Sequence, residues 1–384
     1  MRYPRRLNSL ALNAMVQAIA KRFCGPAKNR LPCILVCLFL LMGLVTSATA
    51  QTGTIVERTI HCASLEGNLV RDSADRPLSL YLPPSYAKAA ERRYPTIYLL
   101  HGYQGSYKQW MAGGKEWNIR DVMDKLISSG RVREIIIAMP DGDNKYGGSF
   151  YCNSASIGNW EDYLTRDLVA FVDSNYLTMP RAASRGIAGH SMGGYGAIRV
   201  SMKYPEVFGA VYALSPACLG WGGDLSLDNP HWDETLSFKS FRDIRNGKNS
   251  YIAEAFLALA AAWSPNPDQK DLFVDLPVAG AGRNRHRIDD VAVRWSANMP
   301  VAMADQYRSQ LARLSGIAFD VGLKDEFSHI PLTCRTFSAA LKRNKIAHVF
   351  EEYDGDHNDH AAIRIETKLL PFLSNILSDS APPR

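Results

Sequence analysis

Short, nearly continuous apolar runs alternate along the chain with longer segments in which apolar positions recur every three or four residues. Residues 93–100 (R-Y-P-T-I-Y-L-L), 133–139, 208–214 and 317–322 are runs of the first kind, bounded by Pro95, by His101-Gly102 and by Pro140. Runs this short and this uniformly apolar predict strands buried on both faces of a parallel sheet. Residues 54–62 alternate weakly and predict an opening strand. Residues 77–82 continue in the same style and are closed by Pro83-Pro84, which cannot extend a ladder. Residues 348–353 supply the last strand. The helical period appears in 117–129 (Ile119, Val122, Met123, Leu126, Ile127), in 160–176 (Leu164, Leu168, Val169, Phe171, Val172), in the alanine-rich 251–263, in 301–314 and in 361–377. Strand, helix and strand in repeated succession predict an α/β fold, a mostly parallel sheet with helices on both faces.

The regularity fails after Cys218. Residues 219–300 hold Gly220, Gly222, Gly223, the polar stretch 242–250 and the loop 280–283, with the helix 251–263 between them. A structureless loop of that length is uncommon inside a compact domain. The expectation is an insertion with its own short helices over the carboxyl edge of the sheet, placed as a lid or pocket wall.

Chemistry enters at 185–195, R-G-I-A-G-H-S-M-G-G-Y. Gly189, Ser191 and Gly193 form G-x-S-x-G, with a small apolar run leading in and a helix-competent run leading out. That is the context of a nucleophile elbow, a sharp strand-to-helix turn that lifts a serine hydroxyl clear of the backbone. Glycine on either side removes the crowding. The N–H of Met192, first in the new helix, faces the place where an oxyanion would form. A serine needs a base in reach and a third group to orient that base. In this fold the order is Ser, acid, His. Two downstream loops qualify, D-V-G-L-K-D-E-F at 320–327 and Y-D-G-D-H-N-D-H at 353–360. Both follow strands, so both reach the same edge of the sheet as Ser191. The expected acid is Asp325, with Asp320, Glu326 and Asp356 as competitors. The expected base is His357, with His360 as rival. His329 reads as a surface or pocket histidine, and His190 as a packed or pocket-lining one. The second oxyanion donor is expected from the loop after 95–100, as the N–H of Tyr103, with Gly102 as the alternative. Tyr103, Trp110, Tyr146, Phe150, Tyr151 and Trp221 lie close enough to these loops to line an aromatic or sugar pocket, or to be ordinary packing.

Composition narrows the partners. The formal charge of +6 would suit nucleic acid, but seven of the 44 basic residues lie in 1–50, which has no acidic residue. The remaining 37 face 38 acidic ones, so no nucleic-acid partner is expected. Residues 31–45 are an apolar run of signal-peptide length and Ala48-Thr49-Ala50 suits a signal peptidase, which predicts a signal peptide over 1–50 and an exported, periplasmic or extracellular domain over 51–384. After cleavage no stable membrane insertion is expected. The alternative is an uncleaved anchor, favoured by the long segment before the apolar run. Cys62, Cys152, Cys218 and Cys334 then remain and allow three complete disulfide pairings, among which the sequence does not choose. Glycine-rich phosphate binding lacks the G-K-[ST] step. The group Asp356, His357, Asp359 and His360 matches no compact zinc spacing. Neither metal nor cofactor is expected, and the oligomeric state stays open.

With these residues in view the chain resembles the esterase family of α/β-hydrolases that includes formylglutathione hydrolases, feruloyl and acetyl xylan esterases, enterochelin esterases and mycolyltransferases. The resemblance spans roughly 75–375 and lies in Y-L-P-P-S-Y (81–86), Y-P-T-I-Y-L-L-H-G (94–102), M-P-D-G (139–142), S-F-Y (149–151), G-H-S-M-G-G-Y-G-A (189–197) and Y-P-E-V-F (204–208). It continues through the Asp325 and His357 loops. It implies an α/β-hydrolase fold and a serine esterase with Ser191 as nucleophile, His357 as base, Asp325 as acid and oxyanion N–H groups on Tyr103 and Met192. Two departures are Asn358, where many members carry an aromatic residue, and the long stretch 219–300. Export points away from a cytosolic formylglutathione substrate and toward a small-molecule or polysaccharide ester: an acylated sugar, a phenolic ester or a siderophore-like ester. The alternatives are an acyltransferase of the mycolyltransferase type and a non-catalytic binding protein on the same fold.

Overall fold

Eight strands form one sheet in the order β1-β2-β4-β3-β5-β6-β7-β8: β1 Thr54–His61, β2 Asp75–Leu82, β3 Thr96–Leu100, β4 Ile136–Pro140, β5 Arg185–His190, β6 Ala210–Leu214, β7 Gly316–Gly322 and β8 Val349–Tyr353. The computed structural model describes residues 52–89, 91–111 and 118–379. The signal-peptide expectation for 1–50 lies outside the described residues. From β4 across to β8 all neighbours are parallel, and β2 runs against both of its neighbours. The uninterrupted apolar runs became the central strands: every residue of β3, β4, β5 and β6 is buried, while the edge strands β1 and β8 are partly exposed.

Alternation along each strand divides the core in two. Ile97, Leu99, Ile137, Met139 and Tyr212 face one side, where α1 (Ile119–Ser128) brings Ile119, Met123 and Leu126 from successive turns of one stripe. The Asn118 side chain caps α1 by accepting from the Asp121 N–H. Tyr98, Leu100, Ala138, Ile187, Val211 and Phe319 face the other side, against α2 (Val169–Asn175) and α3 (Met192–Lys203). Full burial of each large aliphatic side chain in such a core contributes about 2 kcal/mol.

The helix expected over 160–176 is interrupted. Trp160–Asp162 passes into a π-helical turn, Tyr163–Leu168, before α2. Where the helix widens, Thr165 Oγ1 donates to the Glu161 carbonyl at 2.8 Å. Glu161 is buried and pairs with Arg199 and Lys203 of α3, and it also accepts from Tyr204 Oη. Burial alone would raise its pKa, but the two cations outweigh burial and hold it low. This cluster locks the far end of α3, the helix that begins just after Ser191.

The insertion contains α4 (His231–Ser237), α5 (Tyr251–Trp263) and α6 (Asp289–Ala297). Its core is aromatic: Trp232 stacks on Phe256 at 3.9 Å, and Trp263 meets Trp295 edge-on at 5.1 Å. The single helix expected over 301–314 is two short ones, Pro300–Met303 and Arg308–Leu311. In the turn between them Asp305 reaches across to Arg343 and Asn344, at the end of α7 (His329–Arg343). The closing helix also carries a π-helical turn, Ile365–Leu369, before α8 (Leu370–Ile376). Cys62, Cys152, Cys218 and Cys334 are four separate, buried thiols, so none of the three disulfide pairings is made.

Candidate active site

Parallel pairing aligns the strand ends: Leu100 lies opposite Gly189, His190 opposite Leu214, and Gly322 opposite Tyr353. The loops carrying Tyr103, Ser191, Asp325 and His357 therefore leave the sheet at one edge. Ser191 sits at the elbow with φ 57° and ψ −119°, a backbone conformation that L-residues rarely adopt. The glycines around it are required by close approach. A Cβ on Gly193 would lie 2.2 Å from the Leu100 carbonyl oxygen, and one on Gly189 would lie 2.5 Å from the Gly193 backbone. The elbow is thus pressed against the end of β3, and a methyl group at either position would force it away.

Asp325 Oδ2 is 2.7 Å from His357 Nδ1, and both side chains are almost fully buried. The other carboxylate oxygen of Asp325 accepts from the Phe327 N–H at 2.9 Å. A carboxylate facing Nδ1 fixes the proton there and leaves Nε2 as the basic nitrogen. The competing acids are engaged elsewhere. Asp320 is buried, bonded to Tyr212 Oη and Arg364 Nε, each at 2.6 Å. Glu326 accepts from the His357 backbone N–H, and Asp356 closes the loop by accepting from Asn358 N and Asp359 N. His360 is half exposed and faces Asp359.

His190 Nε2 donates to the His357 carbonyl at 2.9 Å, and the two rings lie 4.6 Å apart. Burial, reinforced by the nearby His357, pushes the His190 pKa from 6.5 down to about 3. The folded state thus resists a proton that the unfolded chain accepts. Stability from this group is whole above about 6.5 and is lost as pH falls from there toward 3. His190→Gln, which keeps an N–H donor without a titrating ring, should flatten that part of the decline. Denaturant titrations at pH 7, 6, 5 and 4 on both proteins check this; parallel curves would contradict it.

The loop after β3 is held from below by His101. Its Nε2 accepts from the Gly142 N–H at 2.7 Å, so Nδ1 carries the proton and donates to the Gly102 carbonyl at 2.8 Å. Burial lowers its pKa and keeps the ring neutral. The Gly102 N–H donates to Gln109 Oε1 at 3.1 Å. Among the described residues no group takes the N–H of Tyr103 or of Met192. The loop is also tied to the insertion, since Gln104 Nε2 donates to Glu254 of α5 at 3.0 Å.

Ser191 stands where two arms of a cleft meet. The polar arm, about 300 Å³, is lined by Gly102, Gln109, His190, Glu326, His357 and Asn358. The narrower apolar arm, about 50 Å³, is lined by Phe150, Met192, Ala217, Ile252, Ala255 and Phe256, together with Cys218, Asp224 and His329. Tyr103, Tyr251 and Phe327 form the boundary and face both.

The family described as Putative esterase matches residues 73–362. The chain belongs to that family. It is 34% identical over 139 residues to an endo-1,4-beta-xylanase/feruloyl esterase of Xylanibacter ruminicola, which covers 34% of this chain and 18% of that protein. It is 30% identical over 180 residues to an esterase of Mycobacterium tuberculosis, covering 41% of this chain and 37% of the other. The chain thus spans less than half the length of either curated relative. Among solved structures, a ferulic acid esterase superposes with a TM-score of 0.60 at 20% identity, over 85% of this chain and 98% of that one. The fold is accordingly that of the α/β-hydrolase esterases.

Against this esterase-family framework the expected pocket aromatics divide. Phe150 lines the apolar arm and Tyr103 lines both arms. For Trp110, Tyr146, Tyr151 and Trp221 the alternative of ordinary packing holds, since none of them is among the residues lining the two arms. Trp110 belongs to the core on the α1 side of the sheet. Tyr146 is buried with its hydroxyl on the Leu272 carbonyl. Phe150 and Tyr151 share a left-handed turn that sends them apart, and Tyr151 packs beneath α3 against Gly196 with its hydroxyl on the His101 carbonyl. Trp221 stacks on Trp295 and donates to Ser296 Oγ. Sequence reasoning missed Tyr251, Ile252, Ala255 and Phe256 of α5, because a helix apolar on nearly every side does not reveal which residues face a cleft. It also missed Asp224 and His101.

Proposed function

We propose that this chain is a carboxylic-ester hydrolase that works through a serine acyl-enzyme. Ser191 is the nucleophile, His357 the general base and Asp325 the acid that orients it. The observation that carries this reading is the Asp325–His357 pair at 2.7 Å, with His357 lining the same cleft as Ser191. His357 Nε2 takes the hydroxyl proton as Ser191 Oγ attacks the ester carbonyl. The N–H groups of Met192 and Tyr103 stabilise the oxyanion. As the tetrahedral species collapses, the imidazolium returns its proton to the departing alkoxide. Water, activated by the same histidine, then releases the acid and frees Ser191.

The cleft supports a division of the substrate. The leaving oxygen must approach His357 to be protonated, so the alcohol portion occupies the wide polar arm and the acyl portion the narrow apolar one. Gln109, Glu326 and Asn358 suit a hydroxyl-rich alcohol such as a sugar, and the names of the relatives support acylated polysaccharide or phenolic esters. Residues 219–300 act as the wall of the acyl site. We further propose export, with 1–50 as signal peptide; among the described residues no helix is long and apolar enough to cross a membrane.

Rapid mixing with a nitrophenyl acetate, acid quenching and peptide mass analysis test the central claim. The peptide containing Ser191 should carry one acetyl group during turnover. Nitrophenol release with acetyl on another residue, or on none, would overturn the assignment.

A further inference from the structure

A glycine, the residue with the freest backbone, lies directly beside the nucleophile. A Cβ on Gly102 would lie 3.5 Å from Ser191 Cβ, so the loop after β3 runs alongside Ser191 at this residue. Glycine accepts many orientations of the peptide planes on either side of it, and a turned plane would carry the Tyr103 N–H away from the cleft. The plane joining Gly102 to Tyr103 is held by its carbonyl, which accepts from His101 Nδ1 at 2.8 Å and from the Gly105 N–H at 3.0 Å. In a trans peptide the N–H points opposite the carbonyl, so the Tyr103 N–H is directed away from His101. The plane before Gly102 is held from a side chain, through the bond from the Gly102 N–H to Gln109 Oε1 at 3.1 Å. With both planes held, φ and ψ of Gly102 are set.

Gln109 is seated for that bond. It opens a short helical turn, Gln109–Met111, in which its own N–H donates to the Ser106 carbonyl at 2.9 Å and the next residue, Trp110, is buried in the core on the α1 side. A Cβ on Gly105 would lie 2.5 Å from Gln109 Oε1, so the side chain reaches Gly102 across a point where only glycine leaves room. The amide faces the backbone N–H with its oxygen, which leaves its NH2 group to the polar arm that Gln109 lines. An amide is also neutral. A carboxylate in its place would accept the same bond but set a negative charge close to where the oxyanion develops.

We propose that Gln109 is a positioning residue: by taking the Gly102 N–H it fixes the glycine whose next peptide carries the Tyr103 N–H, and so aims that N–H at the oxyanion. This rests on Ser191 as nucleophile and on Tyr103 as an oxyanion donor. Acylation and deacylation both pass through a tetrahedral oxyanion, so both depend on Gln109. The alcohol has departed before deacylation, so a residue that only contacted the alcohol would leave that step unchanged.

Gln109→Met, which keeps the length of the side chain and removes the amide oxygen, separates these roles. Rapid mixing with nitrophenyl acetate and acid quenching give the rate at which Ser191 is acetylated and, once substrate is spent, the rate at which the acetyl group is lost. Each should fall about 10-fold, part of the roughly 100-fold or more that losing an oxyanion donor costs. An alkyl trifluoromethyl ketone, which adds to Ser191 Oγ and keeps the oxyanion, should bind more weakly by about the same factor. KM-independent loss of this kind is not produced by a merely structural bond. A deacylation rate and ketone affinity equal to those of the natural chain overturn the proposal and leave the esterase reading standing, whatever happens to stability or to acylation by hydroxyl-rich esters. Hydrolysis indifferent to Ser191→Ala overturns both. Should Gln109→Met not fold, Gly105→Ala decides: its methyl group displaces Gln109 Oε1 from Gly102, the same losses are expected, and unchanged deacylation refutes the role.

Discussion

Ser191→Ala is expected to lower kcat for ester hydrolysis by a factor on the order of 10⁶ while leaving the fold intact. Under the proposed mechanism, removing Oγ deletes the atom that would form the acyl-enzyme and leaves His357, Asp325 and the proposed oxyanion donors to act only on water. A residual acceleration of about 10³-fold over solution would reflect those donors and substrate binding. Alanine also fits the site: it removes one oxygen from a buried side chain, and the Ser191 backbone bonds to Leu214, Tyr195 and Ala217 involve no side-chain atom. Nitrophenyl, feruloyl and acetylated-xylan esters with matched thermal melts form the assay. Comparable turnover by both proteins would remove Ser191 from the mechanism.

Asp325→Asn is expected to cost about 10⁴-fold in kcat with little change in melting temperature. Asparagine matches the carboxylate in shape but offers an amide that can donate to Nδ1. It thereby favours the tautomer in which Nε2 holds the proton and cannot act as base. The contrast is Asp320→Asn. Asp320 holds Tyr212 and Arg364 inside the structure, and burial raises its pKa to about 6 against the pull of Arg364. Weakening that bridge should lower stability by about 3 kcal/mol and spare the rate of the folded fraction. Kinetics and denaturant titrations on both variants separate the two roles. A rate loss confined to Asp320→Asn would reverse the assignment.

Much of this arrangement was legible in one dimension, and the exceptions have physical causes. The central strands were readable because a strand buried on both faces must be apolar throughout. The elbow was readable because the chain there passes within van der Waals contact of β3, and only glycine at 189 and 193 permits that. The break in the helix at 163–168 was not readable: Leu164, Leu168, Val169 and Val172 keep an apolar stripe, and the widening accompanies a Thr165 hydroxyl that takes a backbone carbonyl. The split near Ala304–Tyr307 was hidden for a related reason, since Asp305 is drawn outward by Arg343, a partner far along the chain.

The aromatic residues show the limit most clearly. Tyr146, Tyr151, Trp110 and Trp221 have the composition of pocket residues and the right neighbourhood in sequence, yet each is packed away from the cleft. Side-chain direction in a loop depends on single backbone torsions, as the left-handed pair Phe150 and Tyr151 illustrates, and composition carries no record of them.

By itself the sequence determined the central strands, the mostly parallel character of their sheet, the elbow and the two loops that follow β7 and β8, because each rests on local pattern or on the glycines that a tight backbone contact requires. Only the tertiary structure decided that Asp325 and not Asp320 meets His357, and that His101 and Gln109 set the loop beside Ser191. It alone put α5 along the apolar arm and Asp224 against His329. These are contacts whose partners stand anywhere from a few to more than a hundred residues apart, or choices among equivalent side chains a few residues apart, and in both cases the outcome is fixed by strand alignment and burial that no single stretch of chain encodes.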